Sequence, residues 1–397
     1  MTTTDTAAGY DPYDTSVNLD PYPAFRRLRE EAPLYHNEQY DFWAVSRADD
    51  VEAGLRNREA LISGRGAIIE LIHSGIDSYP GTVIFEDPPE HTLHRRLLSR
   101  MFTPRKVGAL EPQIRRWCRE ALEPVAGEDR FDVISTFAAE MPMRVIGSLV
   151  GIPEQDQAAI RRQADATLRT EAGKPMRFSG KVGSPELFAE YIDWRVDHPS
   201  DDIMTELLNA EFEDETGTVR RLTRDELLTY VSVVAGAGAE TTTRLIGWMA
   251  KVLADHPDQR REVAEDRSLL EATVEEVLRF EPPAPHVGRY AVVDVEFGAG
   301  TVPAGSAVLC LVGSANRDDR RFPRGDTFDI HREPTPHFSF GHGAHFCLGA
   351  SLARLEGRIA LDELLSHVPE WEVDLSQSAL APTSTVRGWE RLDLVLP

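Results

Sequence analysis

The sequence predicts a mainly α chain with small β elements near both ends of its length. Two observations carry that prediction. From residue 88 to about 368 the apolar residues recur mostly at the 3.6-residue period of helices that face a core. The period breaks between Pro282 and Pro336, where 292–297 and 307–312 read as strands, as do 42–45 and the tail from Trp371 onward. Strand segments far apart in sequence therefore flank one helical block. Residues 1–397 are expected to form a single interleaved domain, with a helical block 88–280, β-rich elements near 40–65, 290–312 and 371–397, and a glycine-rich loop at 338–349.

The elements follow in order. Residues 21–31 read as an amphipathic helix opened by proline. Phe42-Trp43-Ala44-Val45 reads as a short strand, and 47–57 as the helix after it. Residues 64–81 mix glycine and apolar residues without a clean period, which predicts a loop holding a short helix. Pro88-Pro89 starts another helix. Thr223-Arg224-Asp225-Glu226 is a capping box, with Leu222 and Leu227 placed as a hydrophobic staple. The helix it opens can run to Asp255, before His256-Pro257, a length of about 48 Å at 1.5 Å per residue. Residues 269–280 and 350–368 complete the helices.

Bulk properties narrow the function. The 397 residues are 41% hydrophobic and 27% charged, as in a globular protein with a large core. The net charge of −23 argues against nonspecific nucleic-acid binding. No apolar run approaches the roughly 18 residues that a membrane helix needs. Residues 1–14 are polar and acidic, so neither a signal peptide nor a membrane anchor is expected. Cys118, Cys310 and Cys347 are a sparse, odd set, as expected in a reducing compartment. A cytoplasmic location is expected.

The residues that carry chemistry begin with Phe340-Gly341-His342-Gly343-Ala344-His345-Phe346-Cys347-Leu348-Gly349. Cys347 ends a glycine-rich loop just before a helix, where the dipole and free N–H groups are expected to lower its pKa. Gly341, Gly343 and Gly349 allow a flat cofactor close to the backbone. Two other readings exist: a buried core cysteine, and a zinc site using His337, His342, His345 and Cys347, which lacks an obvious second ligand cluster. The long helix reads Ala235-Gly236-Ala237-Gly238-Ala239-Glu240-Thr241-Thr242 at its middle. Each interior glycine costs about 1 kcal/mol against alanine. The pair points either to a bulky neighbour or to a tight helix crossing. Glu276-Val277-Leu278-Arg279 places a Glu and an Arg on one helix face, and His91 and Arg95 share another.

Together these strings resemble the cytochrome P-450 family. Residues 340–349 match its haem-ligand loop, F-G-x-G-x-H-x-C-x-G. Residues 237–242 resemble its oxygen-binding stretch, and 276–279 its E-x-x-R. The segment Ala315-Asn316-Arg317-Asp318, followed by Phe322-Pro323 and Phe328-Asp329, resembles the family's approach to the cysteine loop. The resemblance spans nearly the whole chain and is weakest at 165–197. It implies a single, α-rich haem-thiolate domain with small sheets and haem b as cofactor, with Cys347 as the metal ligand. It implies that Phe340, Gly341, Gly349, Ala237 and Gly238 line the cofactor. His91, Arg95, Arg289 and His345 would donate to the propionates. Leu93-His94 stand where many bacterial members have Arg-Leu. Thr241 would hydrogen-bond dioxygen, Glu240 would deliver protons, and Glu276 and Arg279 would be structural.

The activity implied is a monooxygenase that inserts one atom of dioxygen into a substrate. The chain is too short for a fused reductase. Electrons are therefore expected from an iron-sulfur ferredoxin and its reductase, with NAD(P)H acting only indirectly. A peroxide-dependent peroxygenase and a non-enzymatic haem sensor are the alternatives, and the Glu240-Thr241 pair argues against both. The expected pocket comprises Ile68, Ile69, Leu71, Ile72, Val83, Ile84, Val234, Ala235, Ala237, Ala284, Pro285, Val287 and Val386. It would suit an apolar terpenoid, fatty-acid or steroid-like molecule. Arg65, Lys174 and Arg177 are candidates to anchor a carboxylate at its mouth, though each reads first as a solvated loop charge. Arg96, Arg100, Arg105, Lys106, Arg354 and Arg358 are expected to form a local basic face for the ferredoxin.

Overall fold

The computed structural model describes residues 9–177, 188–214 and 216–397. Residues 1–8, and the part of 165–197 between 178 and 187, lie outside the described residues.

The long helix runs Arg224–Asp255. Its start is fixed by the expected capping box: Thr223 Oγ1 accepts from the Glu226 N–H, and the Glu226 carboxylate accepts from the Thr223 N–H at 2.8 Å. It packs against helices Glu140–Val150, Leu270–Phe280 and Ala350–His367. Ile146, Leu245, Met249, Leu278 and Leu361 from these four helices meet in the main apolar cluster. Each such side chain contributes about 1.5–3 kcal/mol by leaving water.

A five-stranded sheet lies to one side, in the order Leu34–Asn37, Phe42–Val45, Ala307–Cys310, Val287–Ala291, Leu61–Ile62. Phe42–Val45 and Ala307–Cys310 run parallel, which the long helical stretch between them permits. The other pairs are antiparallel. A second sheet orders Glu372–Leu380, Trp389–Val395 and Arg130–Asp132.

The structure departs from expectation at a few elements. Of the strand expected at 292–297 only Val295–Phe297 forms, and a separate strand, Val287–Ala291, precedes it. Val292 and Val293 form the turn between them and are exposed despite their β-branched side chains. Leu34–Asn37, Arg130–Asp132 and the hairpin Glu211–Glu213 with Val219–Arg221 were not expected. All are too short to show a period. Among the described residues, no helix is long and apolar enough to cross a membrane.

Candidate active site

Cys347 sits between the turn Gly343–His345 and helix Ala350–His367. Gly341 and Gly343 have φ of +70° and +71°, left-handed values that a Cβ would strain. The Phe340 carbonyl accepts from the Cys347 N–H at 2.7 Å, folding the loop back on itself. Phe340 is thereby buried, while Phe346 and Cys347 are exposed. No atom lies within 4 Å of a Cβ built on Gly349, so the loop fronts open space there. Cys118 and Cys310 are buried, and burial pushes both thiols up, Cys310 to about 11. The Cys347 thiol is also raised, because desolvation outweighs the Gly349 N–H and the Arg95 and Arg354 charges. The lowering expected from the helix terminus is thus overcome. A cation bound at the sulfur would reverse that balance.

Beside the loop the fold gathers nitrogen donors without matching anions. His91 is buried, and its Nε2 has no partner. Its ring lies 4.2 Å from that of His345. Arg289 is buried and donates to the Gly288 carbonyl at 2.8 Å. Arg95 donates to the Phe346 carbonyl. Desolvation and mutual repulsion hold these groups down: His345 falls to about 3, and His91, Arg95 and Arg289 are also lowered, the two arginines by burial. Such a cluster suits two carboxylates. His94 is not part of it. Its Nδ1 meets the Glu86 carboxylate at 2.7 Å, and Glu86 also accepts from the Gly81 N–H, which pins the 81–86 segment to the helix.

On the long helix, Ala237 is exposed midway along an otherwise largely buried rod, with Thr241 half-buried one turn on. The Thr241 hydroxyl donates to the Ala237 carbonyl at 3.0 Å. Gly238 faces elsewhere. A Cβ there would come within 2.3 Å of Ile146 Cδ1, so this glycine serves a helix crossing rather than the cofactor face expected for it.

The residues that a zinc site would need are separated in space. His345 stacks near His91, the His342 ring lies 3.6 Å from Glu52, and the His337 ring lies 3.4 Å from Glu275. Among the described residues, no three His, Cys, Asp or Glu side chains converge as a metal site.

Over 390 residues, 97% of its length, the chain is 38% identical to Putative cytochrome P450 123 of Mycobacterium tuberculosis, covering 96% of that protein. The chain belongs to the cytochrome P450 family. The family model described as Cytochrome P450 matches residues 189–380. CYP109Q5 from Chondromyces apiculatus superimposes with a TM-score of 0.86 at 33% identity, covering 98% of each chain. CYP109E1 from Bacillus megaterium, solved in complex with testosterone, superimposes at 0.85 and 28% identity, covering 96% of this chain and 99% of that one. The mainly α fold with small sheets is that of the family, and the chain is an oxidoreductase of the monooxygenase class. Membership implies haem iron and dioxygen.

In this cytochrome P450 the exposed Cys347 thiol and the nitrogen cluster beside it suit a haem and its two propionates. The residues expected to line the substrate pocket divide into groups. Ile84 (44% exposed) and Ala237 are open, and Ile68, Ala284, Val287 and Val386 are half-buried. Val83, Val234 and Ala235 are buried members of the main cluster, and Pro285 is buried. Ile69 and Ile72 pack instead with Phe25, Phe42 and Leu309 in a separate core, and Leu71 is fully buried against Gly66. Their short helix turns its aliphatic face inward to the sheet. Arg65, Lys174 and Arg177 are exposed; Lys174 pairs with Glu171, and Arg65 lies over the Tyr290 ring.

Glu276 and Arg279 are buried away from the cleft. A third member went unread in the sequence: Arg332 Nε donates to Glu276 at 3.1 Å. Its signal was an arginine shortly after Phe328-Asp329, in a segment otherwise read only as approach to the loop.

Proposed function

We propose that this P450 inserts one oxygen atom of dioxygen into an apolar small molecule, terpenoid, fatty-acid or steroid-like. Electrons come from a separate iron-sulfur ferredoxin and its reductase in the cytoplasm. The observation that supports the substrate reading is the exposure of Ala237 and Ile84, one small and one aliphatic, with Ile68, Val287 and Val386 half-buried. The testosterone bound by CYP109E1 is a molecule of that class.

The roles follow from chemistry. Cys347 would supply the thiolate that holds the haem iron, and His91, Arg95, Arg289 and His345 would orient the cofactor by its carboxylates. Haem bound there supplies the iron at which dioxygen is activated, the cofactor's own contribution. Thr241 holds a hydroxyl at the cleft wall, and Glu240 holds a carboxylate next to it in sequence. Together they bring a proton into a site that apolar walls keep dry. The ferredoxin docks on the side of helix Glu90–Ser99. Of the basic residues there, Arg96, Arg100 and Arg105 are exposed with no ion pair among the described residues. Lys106 is taken by Glu206, Arg354 by Glu275 and Arg358 by Glu111.

Spectral titration with matched fatty acids, their alcohols and neutral terpenoids tests the pocket, followed by turnover with dioxygen and reduced ferredoxin. Affinity should rise with apolar size, roughly 25 cal/mol per Å² buried. Tight binding confined to small, highly polar compounds would overturn the substrate reading. Turnover with peroxide alone would overturn the electron source.

A further inference from the structure

Glu240 is only 8% exposed, and its carboxylate is ion-paired with Arg244, one turn along the same helix. Arg244 reaches further and donates to the Trp389 carbonyl through its other terminal nitrogen. Its side chain lies across Gly388. A Cβ at 388 would come within 2.5 Å of Arg244 Cδ, so a glycine leaves the space that the arginine fills. The Glu240 carboxylate is therefore tied to the seam where the long helix meets the last strand, while the Thr241 hydroxyl bonds back to Ala237.

Beyond that seam opens a cleft of about 740 Å³, whose lining includes Tyr22, Trp248, Lys251, Asp255, Arg387 and Trp389. Trp248 is one turn past Arg244. Neither Cys347, Thr241 nor any of the four nitrogen donors lines this cleft. Two donors in the seam, Arg244 Nε and Trp389 Nε1, are buried without partners. A buried N–H left unpaired costs about 1–3 kcal/mol, and interior water is the usual remedy.

Resting on the reading of Glu240 as the proton-delivering acid, we propose that protons reach it from this second cleft along the Arg244–Trp389 seam. Arg244 is the positioning residue that holds the Glu240 carboxylate there. A proton entering from the cleft passes along water in the seam: the water O–H bond nearest the carboxylate breaks as the carboxylate O–H bond forms, and that water takes a replacement proton from the cleft side in the same step. The carboxylate O–H bond breaks as the proton passes towards Thr241, and the carboxylate returns to Arg244. One proton enters for each delivered. Arg244 keeps its own protons, because a guanidinium does not deprotonate in proteins, and it therefore steers the transfer rather than relaying it.

The test uses the haem-loaded full chain. A crystal structure should show ordered water on Arg244 Nε and Trp389 Nε1; if both atoms are dry, the route is overturned. Arg244→Met should lower product formed per electron pair consumed by about 10-fold, with a larger solvent isotope effect. Arg244→Lys should restore much of the loss. Gly388→Ala, whose methyl displaces Arg244, should reproduce Arg244→Met and serves if that variant folds poorly. Wild-type coupling and isotope effect in both Arg244→Met and Gly388→Ala would refute the role of Arg244. Glu240→Gln separates the two readings. If it couples normally, Glu240 is not the acid. If it uncouples while the Arg244 and Gly388 variants behave as wild type, only the seam is wrong.

Discussion

Glu276 and Arg279, three residues apart on one helix, meet through two hydrogen bonds of 2.7 Å each, both side chains buried. Arg279 also donates to the carbonyls of Asn316, Gly325 and Thr327 at 2.7, 2.8 and 3.1 Å. Glu276 accepts in addition from the Asp329 N–H and from Arg332. The pair thereby fastens the 316–332 loop, which leads into the cysteine loop, to the helical core. Removing one partner leaves a buried charge uncompensated, at a cost of about 3–5 kcal/mol. Arg279→Met should lower urea-unfolding stability by that amount and weaken haem retention. Arg332→Ala, at the rim of the cluster, should cost less. Equal, small losses in both would show that the cluster is not the clamp described.

Cys347→Ala should abolish the thiolate-type absorption of the reduced carbonyl complex, while Cys118→Ala and Cys310→Ala leave it intact. The reason is accessibility: the other two sulfurs are buried in the core. Survival of that spectrum in Cys347→Ala would remove the ligand assignment.

Thr241→Ala removes the half-buried hydroxyl proposed to carry a proton but no buried contact, since the hydrogen bond it makes is to the carbonyl one turn back. Substrate binding by spectral titration should change little. Product per electron pair should fall on the order of 10²-fold, within the range of a lost proton-transfer group, with peroxide or water formed instead. Fully coupled turnover would contradict the assignment.

Arg100→Glu should slow electron transfer from ferredoxin at low salt, and the difference should shrink as the Debye length falls to about 8 Å near physiological ionic strength. Arg358→Glu should do less through docking, because Arg358 is engaged by Glu111 at 2.8 Å. Stopped-flow rates indifferent to both charge and salt would exclude this face.

Glu275 offers a pH test. Burial alone would raise its pKa, but Arg354, which donates at 2.7 and 2.9 Å, and the His337 ring 3.4 Å away bring it down to about 2. A depressed carboxylate stabilises the fold above its ordinary value of 4.5, and the contribution is lost as pH falls from 4.5 towards 2. Glu275→Gln should therefore be less stable than wild type at pH 7 in denaturant titrations, with the gap closing across that window.

Much of the fold was legible in residues near one another in the chain. The capping box at Thr223 and His256-Pro257 bracket a helix observed at Arg224–Asp255. Helices expected at 21–31, 47–57 and 269–280 appear within a residue or so of those bounds. Short strands such as Leu34–Asn37 were not legible, because four residues show no period and their pairing partner is supplied by the fold. The pocket list was legible only in part. Ile69 and Ile72 carry the same aliphatic signal as Ile84, and nothing local says which face the sheet covers.

The sequence by itself determined the family, the glycine-rich turn that presents Cys347 and the long helix carrying Glu240-Thr241. Each rests on residues whose conformational demands are local: positive φ at Gly341 and Gly343, a side-chain cap at Thr223, a 3.6-residue apolar period. The tertiary structure alone decided that Gly238 yields to Ile146, that Glu240 is held by Arg244 against Trp389, and that Arg96, Arg100 and Arg105 have no ion pair among the described residues while Lys106, Arg354 and Arg358 do. Those outcomes depend on contacts between segments up to 247 residues apart, where side-chain volume and charge are matched only after the chain has folded.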